Sequence, residues 1–140
     1  GFAGFHGLQP QDSLFSRKHI KRMRYLLAKD PRRLLNDFYR DCSWPGQVPD
    51  SGSINCALLC EDLSLLDTSI LQAEHIKKME VIILHGTEDR IVPWTRAQEL
   101  SRVLADSTLQ LIEGAGHGLP FTHPEQCLAY IKKQLEIKRL

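Results

Sequence analysis

Hydrophobic positions along this chain change their spacing once. Up to about residue 78 they recur at intervals of three and four, the period of an amphipathic helix; from Glu80 onward short apolar runs alternate with helical stretches. Ile20, Met23, Leu26 and Leu27 form one helical face, with Ser16 the expected N-cap. Asp30-Pro31 reads as a cap followed by a first-turn proline. The helix it opens turns Leu34, Leu35, Phe38 and Tyr39 inward and stops before Trp44-Pro45-Gly46. Ser, Pro, Gly and Asp crowd residues 41–53, so that stretch is expected to be a loop. Ser53 is the expected cap of a third helix carrying Ile54, Ala57, Leu58 and Leu65 inward, and a fourth short helix is expected over 69–78.

The second half reads differently. Val81-Ile82-Ile83-Leu84 predicts a strand over 80–85 buried on both faces, as parallel strands under helices are. A helix from about Thr95 presents Ala97, Leu100, Val103 and Leu104, and a second strand covers 108–112. His123-Pro124 opens the last helix, with Cys127, Leu128, Ile131 and Leu135 on its inner face and His123 as the N-cap. Strand, helix, strand, helix predicts an α/β fold with a parallel sheet. Residues 1–78 are then a loop and helical region, and 79–140 a β-α-β-α unit. Two strands make an incomplete sheet whose open edge needs a partner.

Charge sharpens this division. Residues 17–40 hold nine Lys/Arg against Asp30 and Asp37, a net +7; residues 41–140 hold nine against fourteen acids, a net −5. Arg17, Lys21, Arg24, Arg32, Arg33 and Arg40 are the candidate partner-binding cations. Three readings of the basic run stay open: a solvated helix face, a dock for an acidic partner, or a nucleic-acid surface. No groove-reading motif accompanies the charge, so nucleic acid is not the expected partner. Cys42, Cys56, Cys60 and Cys127 lack C-x-x-C spacing. A metal cluster of Cys56, Cys60 and His75 is conceivable, but packed thiols are the expectation, and neither metal nor cofactor is called for. Reduced thiols fit a cytoplasmic setting. No apolar run reaches the ~20 residues of a membrane span. The first seven residues, with three glycines, read as a loop entered part-way, with no targeting segment.

Candidate chemistry lies after the two strands. Asp89 follows the first, in His85-Gly86-Thr87-Glu88-Asp89-Arg90-Ile91-Val92-Pro93; His117 follows the second, in Glu113-Gly114-Ala115-Gly116-His117-Gly118. Loops at the carboxyl ends of parallel strands are where open α/β sheets place their ligands. A carboxylate on one imidazole nitrogen fixes the tautomer and stabilises the cation formed when the other nitrogen takes a proton. The glycines flanking His117 are expected to let its loop turn sharply. His85 is expected to bond locally at the strand end. The nucleophile of such a triad, in G-x-S-x-G, occurs nowhere in the 140 residues; Ser51 and Ser53 around Gly52 lack the strand and elbow glycines.

The 85–93 segment resembles the acid loop of the α/β-hydrolase superfamily, Gly114-Ala115-Gly116-His117 looks like its histidine loop, and Phe121-Thr122-His123-Pro124-Glu125 is similar to the start of its last helix. The helices upstream resemble the lid that the superfamily inserts before its last strands. The cationic helices and Leu63-Ser64-Leu65-Leu66-Asp67 are most like the pimeloyl-[acyl-carrier protein] methyl ester esterases of biotin synthesis. The resemblance implies the C-terminal part of a serine carboxylesterase, with Asp89 orienting His117 as general base and then acid. It implies a nucleophile and oxyanion loop supplied by an N-terminal half, and an acyl carrier protein on the basic helices. Trp44, Phe121, Tyr25, Phe38 and Tyr39 are candidates for an acyl pocket, with core packing equally open for each. The alternative function is a non-catalytic fragment that associates through its open strand edge and binds an acidic partner.

Overall fold

A computed structural model describes residues 6, 10–50, 52, 54–70, 76 and 79–137, with the side chains of 10–13, 15 and 137 set aside. Its elements are α1 (Pro10–Lys29), α2 (Pro31–Asp41), α3 (Cys56–Thr68), β1 (Val81–Gly86), α4 (Thr95–Val103), β2 (Ser107–Ile112), α5 (Leu119–Thr122) and α6 (Pro124–Ile137). They fall into two units. One comprises Gly1–Tyr39 with Gln47–Ile76, the other Arg40–Gly46 with Lys77–Leu140.

The first unit is helical. Ile20 and Leu27 of α1, Leu34 of α2 and Leu63 of α3 are its buried centre, with Met23, Leu26, Cys56, Leu59 and Cys60 packed around them. Burying each such aliphatic side chain stabilises the unit by about 1.5–3 kcal/mol relative to leaving it in water. The inward faces of α1 and α2 follow the sequence periodicity. Asp30 caps α2 as expected, its Oδ1 accepting from Arg33 N at 3.1 Å.

Three details of this unit differ from expectation. Ser16 does not cap α1; the helix begins at Pro10, and Ser16 lies buried within it, 2.6 Å from His6 Nδ1. Asn55, not Ser53, caps α3, accepting from Leu58 N at 3.1 Å. The inward face of α3 is Cys56, Leu59, Cys60 and Leu63, at the three-and-four spacing of a helix, and Leu58 and Leu65, turned away from it, are more than half exposed. Helix α3 ends at Ser69, whose extended backbone (ψ 136°) breaks the helical path, and most of the expected fourth helix over 69–78 lies outside the described residues, as do Ser51, Ser53 and His75.

The second unit is α/β. β1 and β2 pair in parallel, in register from Val81 opposite Ser107 to Gly86 opposite Ile112. α4 packs on both strands, burying Ala97 and ending in the buried Leu104. Ile112, Ala115, Leu119 and Cys127 form the core against which Leu84 rests. Of β1 only Ile83 and Gly86 are fully buried, so the expected burial on both faces is partial. The sheet has two strands among the described residues, and Leu128 and Leu135, one face of α6, are 52% exposed rather than inward. No helix of the described residues is long and apolar enough to cross a membrane.

Candidate active site

Gly86 ends β1 where two loops must touch. A Cβ there would lie 2.1 Å from the Ala115 carbonyl oxygen, so only glycine lets β1 run this close to the histidine loop. The loops are then laced together: Thr87 N donates to Ile112 O at 3.0 Å, Glu88 N to Ala115 O at 2.9 Å, and Gly114 N to Thr87 Oγ1 at 2.9 Å.

Asp89 follows in a tight turn that its own carboxylate closes. Oδ1 accepts from Ile91 N and Val92 N, both at 2.8 Å. Oδ2 accepts from His117 Nδ1 at 2.9 Å. The Asp89 side chain is 3% exposed, whereas that of His117 is 39% exposed. Burial alone would push the Asp89 carboxyl up. The bond from His117, the backbone donors and the His117 charge together outweigh it and hold the carboxyl below its ordinary value. With Nδ1 given to Asp89, Nε2 is the nitrogen that His117 can present to a reacting group. A cavity of about 390 Å³ adjoins the pair, lined among others by Leu84, Val92, Leu119 and Ile131.

The histidine loop has a second support. Gly118 N donates to the Cys42 carbonyl at 2.7 Å. Trp44 and Phe121 stack edge to face with centroids 4.7 Å apart. A Cβ at Gly116 would lie 2.6 Å from Ser43 Oγ, and one at Gly118 2.7 Å from Cys42 O. Those two glycines therefore make room for residues 42–43; only Gly114, at φ 70°, adopts the left-handed turn expected of this loop. Ser43 itself sits at φ 56°, just past the end of α2, where its N–H closes on Arg40 O at 3.0 Å. The sequence marks the helix stop before Trp44-Pro45-Gly46, but not that the residues at that stop lie against the histidine loop.

His85 bonds locally, as expected: Nε2 donates to Val92 O at 2.9 Å. His123 occupies the N-cap position of α6, its carbonyl accepting from Cys127 N at 3.1 Å, while its ring bonds Thr122 Oγ1 at 2.8 Å.

A different Ser–His–Asp chain exists in the helical unit and was not foreseen. His6 bonds Ser16 Oγ at 2.6 Å through Nδ1 and Asp67 Oδ1 at 2.8 Å through Nε2. Ser16 is 8% exposed and lies inside α1, where backbone N–H groups serve the helix and offer no oxyanion hole. This chain ties His6 to α1 and α3.

The candidate partner-binding cations are dispersed in their contacts. Arg17 lies 3.6 Å from Asp67, Arg33 3.9 Å from Asp37 and Arg40 3.3 Å from Asp41. Arg24 donates to Ser64 Oγ at 2.8 Å. Lys21 and Arg32 are exposed on α1 and α2. Among the described residues no three His, Cys, Asp or Glu side chains converge to hold a metal, and the four cysteines are free thiols.

Comparison with known proteins places the fold. No family model matches the chain. It is 39% identical over 66 residues to a non-heme chloroperoxidase of Streptomyces lividans, a stretch covering 42% of this chain and 24% of that protein. The esterase EaEST of Exiguobacterium antarcticum superposes with a TM-score of 0.69 at 17% identity, over 85% of this chain and 48% of that one. The esterase RhEst1 of Rhodococcus sp. ECU1013 does so with a TM-score of 0.55 at 18% identity, over 79% and 44%. The fold is α/β and matches about half of each of these two esterases, whose fold is that of the α/β-hydrolases. The chain spans less than half the length of each of these proteins.

Proposed function

We propose that this chain supplies the acid and base of a serine ester hydrolase: Asp89 orients His117, and His117 Nε2 takes the proton from a serine hydroxyl and returns it to the leaving alcohol. The same nitrogen then takes a proton from the water that attacks the acyl carbon and returns it to the serine oxygen as the acyl–serine bond breaks. The observation that carries this reading is the 2.9 Å bond between a buried carboxylate and a part-exposed imidazole at the ends of adjacent parallel strands. The two esterases of like fold support it. The nucleophile has to come from outside these 140 residues, since no G-x-S-x-G lies within them.

The finer proposal is a methyl ester borne by an acyl carrier protein. The exposed cations Lys21 and Arg32, with Arg17, Arg24, Arg33 and Arg40, would attract such an acidic carrier. A second reading is favoured by the outward Leu128 and Leu135 of α6 and by the two-stranded sheet. On that reading the chain is an interaction module that pairs through its strand edge or with itself.

The test is complementation. Mixed with a polypeptide bearing the strand, G-x-S-x-G elbow and following helix of an esterase, the chain should hydrolyse p-nitrophenyl acetate, and His117→Ala should abolish this. A stable complex with no His117-dependent turnover would sink the hydrolase reading. Turnover by the 140 residues alone, lost in His117→Ala, would place the nucleophile within them instead.

A further inference from the structure

The acid turn has a third participant. His85 is the penultimate residue of β1, and its side chain is 15% exposed. Nε2 lies 2.9 Å from the Val92 carbonyl oxygen and 3.4 Å from Asp89 Oδ2. Val92 is thus held on both sides of its residue: its N–H donates to Asp89 Oδ1 and its C=O accepts from His85 Nε2. Two imidazoles flank one carboxylate oxygen, His117 closely and His85 at longer range.

We propose that His85 is a positioning residue for the Asp89–His117 pair: by holding the Val92 carbonyl it keeps the 89–92 turn closed and aims Asp89 Oδ2 at His117 Nδ1. The inference deepens the proposed role of that pair and rests on it. Donation to a carbonyl, which only accepts, requires a proton on His85 Nε2. Take the donor away and a part-buried carbonyl loses its partner. The turn then relaxes, and the two N–H groups that hold Oδ1 move with it. Volume alone does not do this work. A ring that only fills space would be replaceable by phenylalanine, whereas a donor at the Nε2 position is mimicked by the amide nitrogen of glutamine. That difference separates positioning from packing.

The experiment uses the ¹⁵N-labelled 140-residue chain and long-range ¹⁵N–¹H correlation of the His117 ring, which needs no nucleophile and no turnover. Wild type should show the Nδ1–H tautomer with its proton shifted downfield by the carboxylate. His85→Phe should lose that signal, and His85→Gln should restore it. His117 resonances in His85→Phe that superimpose on wild type would overturn the proposal, as would a folded His85→Gln that fails to restore them. Should His85→Phe not fold, His85→Gln and His85→Asn decide: the shorter amide withdraws the donor, so the signal must persist in the first and vanish in the second, and equal behaviour refutes the idea. In the complemented hydrolysis assay, His85→Phe should lower kcat by up to about 100-fold with KM held. Failure of wild type to turn over would remove the esterase reading, leaving the ring signals to judge His85 separately.

Discussion

His117 Nδ1 lies 2.9 Å from Asp89 Oδ2 although 28 positions separate the two residues. The register of the sheet closes that gap. Gly86 is opposite Ile112, so the acid turn three residues beyond the one and the imidazole five beyond the other leave the sheet side by side. The link is load-sharing as well as chemical, since the same carboxylate that orients His117 also closes its own turn through Ile91 and Val92.

Acid should weaken the fold through Asp89. Its carboxyl is lower in the folded protein than in the unfolded chain, so the folded state binds a proton less readily. The stability this confers is complete above the ordinary aspartate value of about 3.9 and is lost as pH falls through the lower folded value. Urea midpoints measured between about pH 5 and pH 2 should fall more steeply for wild type than for Asp89→Asn. Equal slopes would mean that the native carboxylate is not held in its charged form.

Gly86→Ala should destabilise the strand unit, because its Cβ would meet the backbone of Ala115 at 2.1 Å and backbone cannot swing aside as a side chain can. A loss of about 1–3 kcal/mol is expected from denaturant titration. A cost near zero would show that the two loops do not pack as described.

Ser43→Gly is expected to stabilise. A non-glycine residue at φ 56° bears a left-handed penalty of about 1–2 kcal/mol, partly offset by the extra unfolded freedom of glycine, about 0.5–1 kcal/mol. A net gain of up to about 1 kcal/mol in urea follows. A loss would indicate that the Ser43 hydroxyl contributes more than its backbone costs.

Cys42 should resist alkylation. Burial, then the charges of Asp89 and Asp41, push its thiol up to about 11, so little thiolate is present near pH 8. In the native protein iodoacetamide should label the part-exposed Cys56 well before Cys42, as read by peptide mass, and denaturant should erase the difference. Early labelling of Cys42 would contradict its placement beneath the histidine loop.

Much of this molecule is legible residue by residue. Helix α2 begins where Asp30-Pro31 says it should, the inner faces of α1 and α2 follow the three-and-four spacing, and β1 and β2 lie within a residue or two of the apolar runs. Errors appear where a local signal had a rival nearby. Asn55 caps α3 in place of Ser53, two residues earlier in the chain, and Leu58 and Leu65 face outward. Leu128 and Leu135 look like core from their spacing, yet nothing among the described residues covers them.

The order of residues by itself determined the main helices and both strands, that an aspartate and a histidine each follow a strand, and that no serine elbow accompanies them. Those properties depend on neighbours a few positions apart, and short-range spacing records them. Tertiary structure alone decided that Asp89 and His117 bond, that Cys42 and Trp44 brace the histidine loop, and that His85 reaches the Val92 carbonyl beside Asp89. Apart from the short reach of His85, such contacts join residues distant in sequence. They exist because parallel pairing brings two strand ends together, and no periodicity along the chain encodes which loops will then meet.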